Sequence, residues 1–206
     1  MKNMESDIHK GQCQEPFLQS GLAITAAACW NVLKFRRFIY FPQVLEFLEC
    51  VYRTAPDLLH YRHFAKLALG LRATIILDVI ARDGTNKETW RMFQQLFSNS
   101  PLEAAPHVTH RALQKVQSAD LSFRRMVKRL FKDEEFCKSY MNEQVALDYG
   151  EPFVAMLQNL MREFLVRLNS ALSEDKSQKR LSALESDCTC TDSVSPEESI
   201  ESHLAR

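Results

Sequence analysis

Two pairs of histidines are the first candidates for chemistry in this sequence. His60 and His63 are three residues apart, and so are His107 and His110. This spacing puts two imidazole rings on one face of a helix, where they could bind a metal ion. Neither pair lies in an HExxH motif, and no third ligand can be identified. We therefore interpret these histidines as surface or hydrogen-bonded residues, and we expect no metal and no cofactor.

Other signatures of catalysis are missing from the sequence. It contains no glycine-rich phosphate loop, no GxSxG motif and no cysteine in a known nucleophile motif. Asp57 lies close to His60, as acid–base chemistry would need, but a carboxylate beside Pro56 is already explained by the positive end of a helix dipole. We predict that the protein is not an enzyme, and a metal-dependent enzyme built on the histidine pairs stays an alternative.

A basic run between Arg124 and Lys132 could contact phosphates or an acidic peptide. The run lies in an amphipathic helical pattern, and its one aromatic residue, Phe131, falls on the apolar face, whereas a base-stacking surface would need aromatic residues among the cations. A solvated helix face is the simpler interpretation, and direct nucleic-acid binding stays an alternative. The cations on this face are Arg124, Arg125, Lys128 and Arg129.

Composition indicates one compact domain in a reducing compartment. Of 206 residues, 46% are hydrophobic, and the 26 basic and 26 acidic residues cancel, so a general affinity for nucleic acid is not indicated. The six cysteines form no CxxC pair and show no regular spacing. No signal peptide and no run of about 18 apolar residues occurs, so we expect no membrane contact.

The stretch from Phe41 to Asp83 contains two helical patterns around which the other helices are expected to pack. Apolar residues cover more than one face of both, which is typical of central helices. Thr54 is expected to cap the second helix, Gly84 to end it, and a capping box at residues 85–88 to start the next. No segment alternates with period two, so the fold is predicted to be all-α. Further helices are expected at about residues 22–40, 107–118, 120–132, 133–149 and 153–172.

The chain divides by composition into three parts. Residues 1–20 are polar and irregular and are predicted to be a flexible lead, whereas residues 21–172 hold the helical patterns. Residues 173–206 are rich in Ser and Glu, with few apolar residues, which predicts a disordered acidic tail.

Four short segments stand out together, namely Ala26–Trp30, Phe41–Leu48, Ala55–His63 and Tyr149–Phe153. They resemble segments of a known family and occur in the family's order. The family is that of the TRF-interacting nuclear factor, a shelterin subunit, whose N-terminal TRF-homology (TRFH) domain is similar to residues 22–172. Near the end of the chain, Thr191–Val194 is similar to a segment found just beyond that domain.

The resemblance implies a TRFH-like bundle of roughly eight to nine helices that acts as a scaffold at telomeres in the nucleus. It would dock short peptides and so link the duplex telomere-repeat-binding factors to the subunit that tethers the single-strand telomere binder. Telomere protection and length regulation would depend on this link. We expect a monomer that does not bind DNA directly, and a purely structural helical domain stays an alternative.

The resemblance also selects candidate residues for partner binding. The family's partner surface is similar to the region around residues 47–58, where large apolar residues are more numerous than one core contact needs. A cation at its rim would pair with a partner's polar groups. A second surface is expected near residue 120, where a small residue would let a partner's backbone approach. The candidates are Phe47, Leu48, Tyr52, Leu58 and Arg62 for the first surface, with Ala119 and Phe123 for the second.

Two features differ from the peptide recognition known in the family. The repeat-binding factors place an aromatic residue at the start of the helix corresponding to residues 84–97, but Asn86 stands at this position, and Trp90 would substitute only in part. The groove for Phe-x-Leu-x-Pro peptides is therefore expected to be altered or absent. The sequence also contains no Phe-x-Leu-x-Pro. Either the chain is a short form, or that interaction is made in another way.

Overall fold

The computed structural model describes residues 15–98 and 108–188, with side chains for residues 21–97 and 108–173. Every regular element in these ranges is helical, which confirms the all-α prediction. Among the helices described, none has the length and apolar character needed to cross a membrane. The chain divides into two compact units, Met1–Leu168 and Asn169–Arg206. The cores and surfaces described below belong to the first unit.

The described residues form eight α-helical segments with short turns between them. A 3-10 turn at Phe38–Tyr40 precedes the second segment, and another at Pro56–Leu58 precedes the third. A π-helical turn at Tyr140–Gln144 joins the sixth and seventh into one stretch. The segments are α1 (Glu15–Lys34), α2 (Phe41–Thr54), α3 (Tyr61–Asp83), α4 (Lys87–Ser98), α5 (His110–Lys132), α6 (Glu134–Ser139), α7 (Val145–Asp148) and α8 (Glu151–Cys188).

These segments amount to seven continuous helices in the described ranges, slightly fewer than the eight to nine expected. The difference lies in α5, which runs through the point near Ala119 where two helices were predicted to meet. Residues 117–121 contain neither glycine nor proline. The backbone therefore has no local reason to end the helix there.

Helix α3 is central because side chains on several of its faces are buried, as the sequence predicted. Phe64, Leu67, Leu71 and Ile76 are each at most 3% exposed. Burying one such side chain stabilises a fold by roughly 1.5–3 kcal/mol. The helix ends at Gly84, where φ is +77° and ψ is −174°, a conformation that only glycine adopts readily.

One hydrophobic core joins α3, α4 and α5. The rings of Phe93 and Phe97, on the apolar face predicted for α4, lie with their centroids 5.2 Å apart. Both residues contact the apolar faces of the neighbouring helices. The buried members of this core are Ile76, Leu77, Ile80, Phe93, Phe97, Val127 and Leu130.

A second apolar contact joins α2 and α3 to the first part of α8. Phe164 of α8 is 1% exposed and lies edge-on to Phe47 of α2, with ring centroids 6.1 Å apart. A Cβ atom added to Gly70 of α3 would overlap the side chain of Leu157 of α8. The absence of a side chain at Gly70 therefore allows α3 and α8 to approach closely.

An ion pair also joins α2 to α3. Arg72 is only 8% exposed, and its Nη2 atom lies 2.7 Å from Oε1 of Glu49. A guanidinium without its partner would be left in a largely apolar environment. Removal of one partner is therefore expected to cost more than the intact pair contributes.

Two predicted helix caps are wrong, each for its own local reason. The hydroxyl of Thr54 donates to a carbonyl one turn earlier in α2, and the 3-10 turn at Pro56–Leu58 separates it from α3. Helix α4 is capped by Asn86, whose side-chain oxygen accepts a hydrogen bond from the amide of Thr89 at 2.9 Å. The cap therefore lies one residue after Thr85, where the capping box was expected.

Helices α1 and α8 differ in extent from their predicted ranges. α1 was expected over about residues 22–40 but spans Glu15–Lys34, and the 3-10 turn at Phe38–Tyr40 is separate from it. α8 was expected to end near Leu172 but continues to Cys188. Residues 173–188 contain no glycine or proline and several good helix formers, so intrinsic propensity extends the helix beyond its apolar stripe. The division into lead, domain and tail stays a prediction, and the residues before 15 and after 188 lie outside those described.

Candidate functional site

A cleft of about 660 Å³ opens beside the start of α3. One wall is the segment that joins α2 to α3, and the other is the start of α5. Its volume is in the range of pockets that bind small molecules or a few side chains of a peptide. The lining residues are Tyr52, Pro56, Asp57, Leu59, His60, Tyr61, Arg62, His63, Lys66, Val108, Thr109 and Ala112.

The segment between α2 and α3 shapes the cleft. Pro56 begins the 3-10 turn, and Leu59 then takes an extended conformation with φ of −137° and ψ of 132°. Leu59 is 3% exposed, so its side chain anchors the segment in the core. Tyr52 stacks on Phe64 with ring centroids 3.7 Å apart and planes 3° apart. Tyr52 lines the cleft and Phe64 does not, so the stacking holds the Tyr52 ring in place as the aromatic part of the wall.

The rim of the cleft is mainly cationic. Arg62 and Lys66 are exposed on the first turns of α3, whereas Asp57 is the one acidic residue among those that line the cleft. His63 places its Nδ1 atom 3.3 Å from the carboxylate of Glu163 on α8. The charge at the rim therefore favours an anionic ligand over a cationic one.

Tyr61 contributes a neutral polar group to the cleft. Burial raises the pKa of its phenol, and the nearby Tyr52 raises that pKa further. The Tyr61 hydroxyl therefore stays protonated at neutral pH.

Two of the predicted partner-binding residues, Tyr52 and Arg62, lie at this cleft. Arg62 is exposed at the rim, the position at which a cation was predicted. Tyr52 is 7% exposed and forms part of the wall, so most of its surface is used in the core. Both residues therefore lie at the same cleft, but Arg62 is accessible to a partner, whereas Tyr52 mainly packs in the core.

The other candidates of the first surface lie around Phe164. Phe47 and Leu58 are half-buried, and Leu58 lines a narrow gap together with Leu48 and Phe164. Leu48 is 0% exposed, so its side chain has no surface left for a partner in this conformation. Phe47 and Leu58 keep accessible side-chain surface, and their contact with a partner stays a prediction.

Ala119 and Phe123 lie one turn apart on α5 and therefore share a face. Ala119 is exposed, whereas Phe123 is half-buried. The ring of Phe123 stacks on Phe97 with centroids 5.3 Å apart and meets the edge of Tyr149 at 6.2 Å. Burial raises the pKa of Tyr149 to about 12, with a smaller contribution from the carboxylate of Asp148. The second predicted surface is thus a small residue beside a packed aromatic cluster.

The start of α4 is used for capping and packing. Asn86 caps the helix, and Trp90 is half-buried. The Trp90 ring lies 5.0 Å from Phe131 and 5.3 Å from Phe93 between centroids. Trp90 therefore closes the edge of the core between α4 and α5.

The histidines show no metal-binding geometry in the part of the chain that the structure describes. His60 and His63 hold their rings nearly perpendicular, with centroids 6.2 Å apart. No group of three or more His, Cys, Asp or Glu residues among the described ones could hold a metal ion. His110 is exposed, and His107 lies outside the described residues.

The basic face of α5 is partly engaged within the fold. Arg124 pairs with Asp120 at 2.8 Å. The guanidinium of Arg129 lies 3.8 Å from the centroid of an aromatic ring on α6. Arg125 and Lys128 are exposed. This face therefore offers fewer available cations than the sequence pattern indicated.

Sequence reasoning missed Lys66 and the far wall of the cleft. That wall consists of Val108, Thr109 and Ala112, and the side chain of Thr109 caps α5 by accepting from the amide of Ala112. A threonine before an apolar helical pattern is a local signal for a helix start. No local signal indicates which other helix that start will face.

Comparison of the sequence with known proteins identifies a family. The sequence matches the family described as the TERF1-interacting nuclear factor 2 N-terminus over residues 30–179. It is 32% identical over 161 residues to TERF1-interacting nuclear factor 2 of Homo sapiens, which covers 78% of this chain and 36% of that protein. For the Mus musculus protein of the same name the identity is 30% over 166 residues, covering 80% and 46%. The chain thus spans less than half the length of either relative. Because the family match extends over most of the chain, the chain belongs to the TERF1-interacting nuclear factor 2 N-terminal family.

Proposed function

We propose that this chain is a telomeric docking scaffold that binds short peptides of partner proteins at the cleft beside α3. The observation that carries the proposal is the combination of a preformed aromatic wall with a cationic rim. The wall would take an apolar side chain of the peptide, while Arg62 and Lys66 would pair with its carboxylates or carbonyl oxygens. A cleft that is ordered before binding loses little conformational entropy when the peptide enters.

Family membership supports the telomeric part of the proposal. Both relatives are named as nuclear factors that interact with TERF1. A duplex telomere-repeat-binding factor is therefore the first partner that we propose, in the nucleus. The second is the subunit that tethers the single-strand telomere binder. By holding both, the chain would link the duplex and single-strand binders, and telomere protection and length regulation would depend on that link.

We propose two separate surfaces for these partners. The first combines the cleft with the half-buried residues beside Phe164, and the second is the face of α5 described above. Leu48 and Tyr52 support the first surface from inside, because they hold α2 against α3. The residues proposed to touch partners are Phe47, Leu58 and Arg62 at the first surface, and Ala119 and Phe123 at the second.

Titration of the full 206-residue chain with labelled peptides from TERF1 and from the tethering subunit tests this proposal. We expect saturable binding of both peptides, and Arg62→Glu/Lys66→Glu should weaken the one that docks at the first surface at least about tenfold, because the reversed charges at the rim would repel its carboxylates. Phe47→Asp and Leu58→Glu test the apolar side of the same surface. Circular dichroism and thermal melting establish that each variant stays folded. Unchanged affinity in all three folded variants would contradict docking at this surface.

The double variant Arg125→Glu/Lys128→Glu is the matched control, because it reverses two exposed cations that do not line the cleft. It should leave the affinity of the peptide that docks at the first surface unchanged. The same variant tests the alternative of direct nucleic-acid binding. Binding of a duplex telomeric oligonucleotide that falls with salt and disappears in this variant would favour that alternative. Folded protein that binds neither peptides nor DNA would favour a purely structural helical domain.

A further inference from the structure

Exposed hydrophobic residues are concentrated at the turn between α1 and α2. Phe35, Ile39 and Tyr40 are 60%, 64% and 49% exposed, and they make up three of the eight large hydrophobic residues exposed in the described ranges. Single exposed hydrophobics are ordinary on protein surfaces, whereas clusters often mark interaction sites. We call these three residues, together with Lys34 and Arg37, the turn patch.

The turn patch is positively charged. The Nζ atom of Lys34 lies 5.5 Å from the centroid of the Phe35 ring, and the Cζ atom of Arg37 lies 5.9 Å from it. No acidic residue occurs between residues 31 and 45. The turn's third cation, Arg36, forms an ion pair with Glu151 of α8. Two cations therefore remain beside an exposed aromatic ring, where they would attract an anionic group.

Hydrogen bonds hold the backbone of the turn in one conformation. Helix α1 ends in a Schellman motif, in which the amide of Arg37 donates to the carbonyl of Val32 at 3.0 Å and the amide of Arg36 donates to Leu33 at 3.2 Å. Arg36 takes the left-handed conformation with φ of +52°. The side chain of Gln158 on α8 also donates to the Leu33 carbonyl at 3.3 Å. The exposed side chains thus project from an ordered backbone, which lowers the entropic cost of binding.

We propose that the turn patch is a further docking surface, for an acidic segment of a partner protein that also carries an apolar side chain. Carboxylates of the segment pair with Lys34 and Arg37, and its apolar side chain covers Phe35 and Ile39. A protein segment fits better than single-stranded nucleic acid for two reasons. The cations already occupy positions over the Phe35 ring where a base would stack, and Ile39 offers aliphatic surface that a base does not need.

This surface is independent of the function proposed for the cleft. None of the turn-patch residues lines the cleft beside α3. A protein that fails to bind peptides at the cleft could therefore still bind an acidic segment at the turn, and the reverse also holds. The variant Arg62→Glu/Lys66→Glu distinguishes the two, because it should leave ligands of the turn patch bound.

Selection from a phage library of random peptides, with the immobilised full-length chain as target, tests the inference. Enriched peptides should be net acidic and contain an apolar residue. They should bind Phe35→Ser/Ile39→Ser at least about tenfold more weakly than the unmodified chain, because anchor residues carry most of the energy at such sites. Lys34→Glu/Arg37→Glu should weaken them to a similar extent, and added salt should reduce their affinity. Leu147→Ser is the matched control, because it removes an exposed hydrophobic side chain outside the turn patch. Leu147 is 73% exposed, and its replacement should not change the affinity of the peptides.

Several outcomes would overturn the inference. Enriched peptides without net negative charge, or with the same affinity for the folded turn-patch variants, would exclude an acidic ligand at this surface. Failure to enrich any peptide relative to Phe35→Ser/Ile39→Ser would also exclude it. Turn-patch-dependent dimerisation in sedimentation, or turn-patch-dependent binding of a single-stranded oligonucleotide or of anionic vesicles, would assign the patch to a different occupant.

Discussion

Replacement of Gly70 by alanine tests the close contact between α3 and α8. Gly70 lies in the middle of α3, and an added Cβ would overlap the Cδ2 atom of Leu157 and lie 3.4 Å from the Cζ atom of Phe153. Leu157 is 1% exposed, so its side chain has little room to move away. The helix would have to shift or Leu157 would have to leave its preferred rotamer.

Two opposing effects set the expected change in the free energy of unfolding. Alanine is favoured over glycine in a helix interior by about 1 kcal/mol. Forcing an extra methyl group into a packed core costs about 1–3 kcal/mol. We therefore expect a net destabilisation of about 1 kcal/mol for Gly70→Ala. In Gly21→Ala no atom lies within 4 Å of the added Cβ. This variant should therefore gain the stability that alanine adds to a helix, without the cost of overpacking.

Thermal and urea unfolding of both variants measure these terms. The two should differ by about 2 kcal/mol, or about 4–8 °C in Tm for a chain of this size. A second test uses the double variant Gly70→Ala/Leu157→Ala. It should be less destabilised than the sum of its single changes, because the truncated residue no longer meets the new methyl group. Equal stabilisation by Gly70→Ala and Gly21→Ala would refute the close approach of α3 and α8.

Three further predictions follow from the backbone, the ion pair and the buried phenol. Arg36→Gly should be neutral or stabilising in thermal melts, whereas Arg36→Val should destabilise by about 1 kcal/mol or more, because a β-branched residue disfavours positive φ. In urea titrations Glu49→Ala should destabilise more than Arg72→Met, because only the first leaves a buried guanidinium unpaired; the opposite order would show that the pair itself is strongly favourable. Tyr149 has a folded pKa of about 12, above the value of about 10 in an unfolded chain, so the folded state holds this proton more tightly. The contribution of the protonated Tyr149 to the free energy of unfolding, on the order of 2 kcal/mol, is complete below pH 10 and lost as pH rises through 12. In urea titrations, the free energy of unfolding of Tyr149→Phe should therefore decline less over that pH interval than that of the unmodified chain.

Local patterns predicted the helices well and their ends less well. The apolar periodicity of α3 and α4 depends on neighbouring residues in the chain, so the buried faces could be inferred directly. The cap of α4 was misplaced by one residue, because Asn86 and Thr85 both have side chains that can accept from a free helix amide. The two helices expected around residue 119 are one, because a polar position without glycine or proline does not end a helix.

The candidate site was predicted only in part. Arg62 was expected at the rim of a partner surface, and it lies exposed at the rim of the cleft. Leu48 and Phe47 looked equivalent in sequence, yet Leu48 is fully buried while Phe47 keeps exposed surface. The wall formed by Thr109 had no sequence signal, because it depends on the packing of α5 against a segment far away in the chain.

The amino-acid sequence by itself determined the all-helical class, the central position of α3 and the family. These properties follow from short-range preferences of the backbone and from the spacing of apolar residues, both of which are local. The tertiary structure alone decided which apolar residues are core, where the cleft opens, and that Phe35 and Ile39 stay exposed beside cations. The physical reason is that burial is a property of two surfaces in contact. A sequence pattern describes one of these surfaces, and only the fold supplies the other.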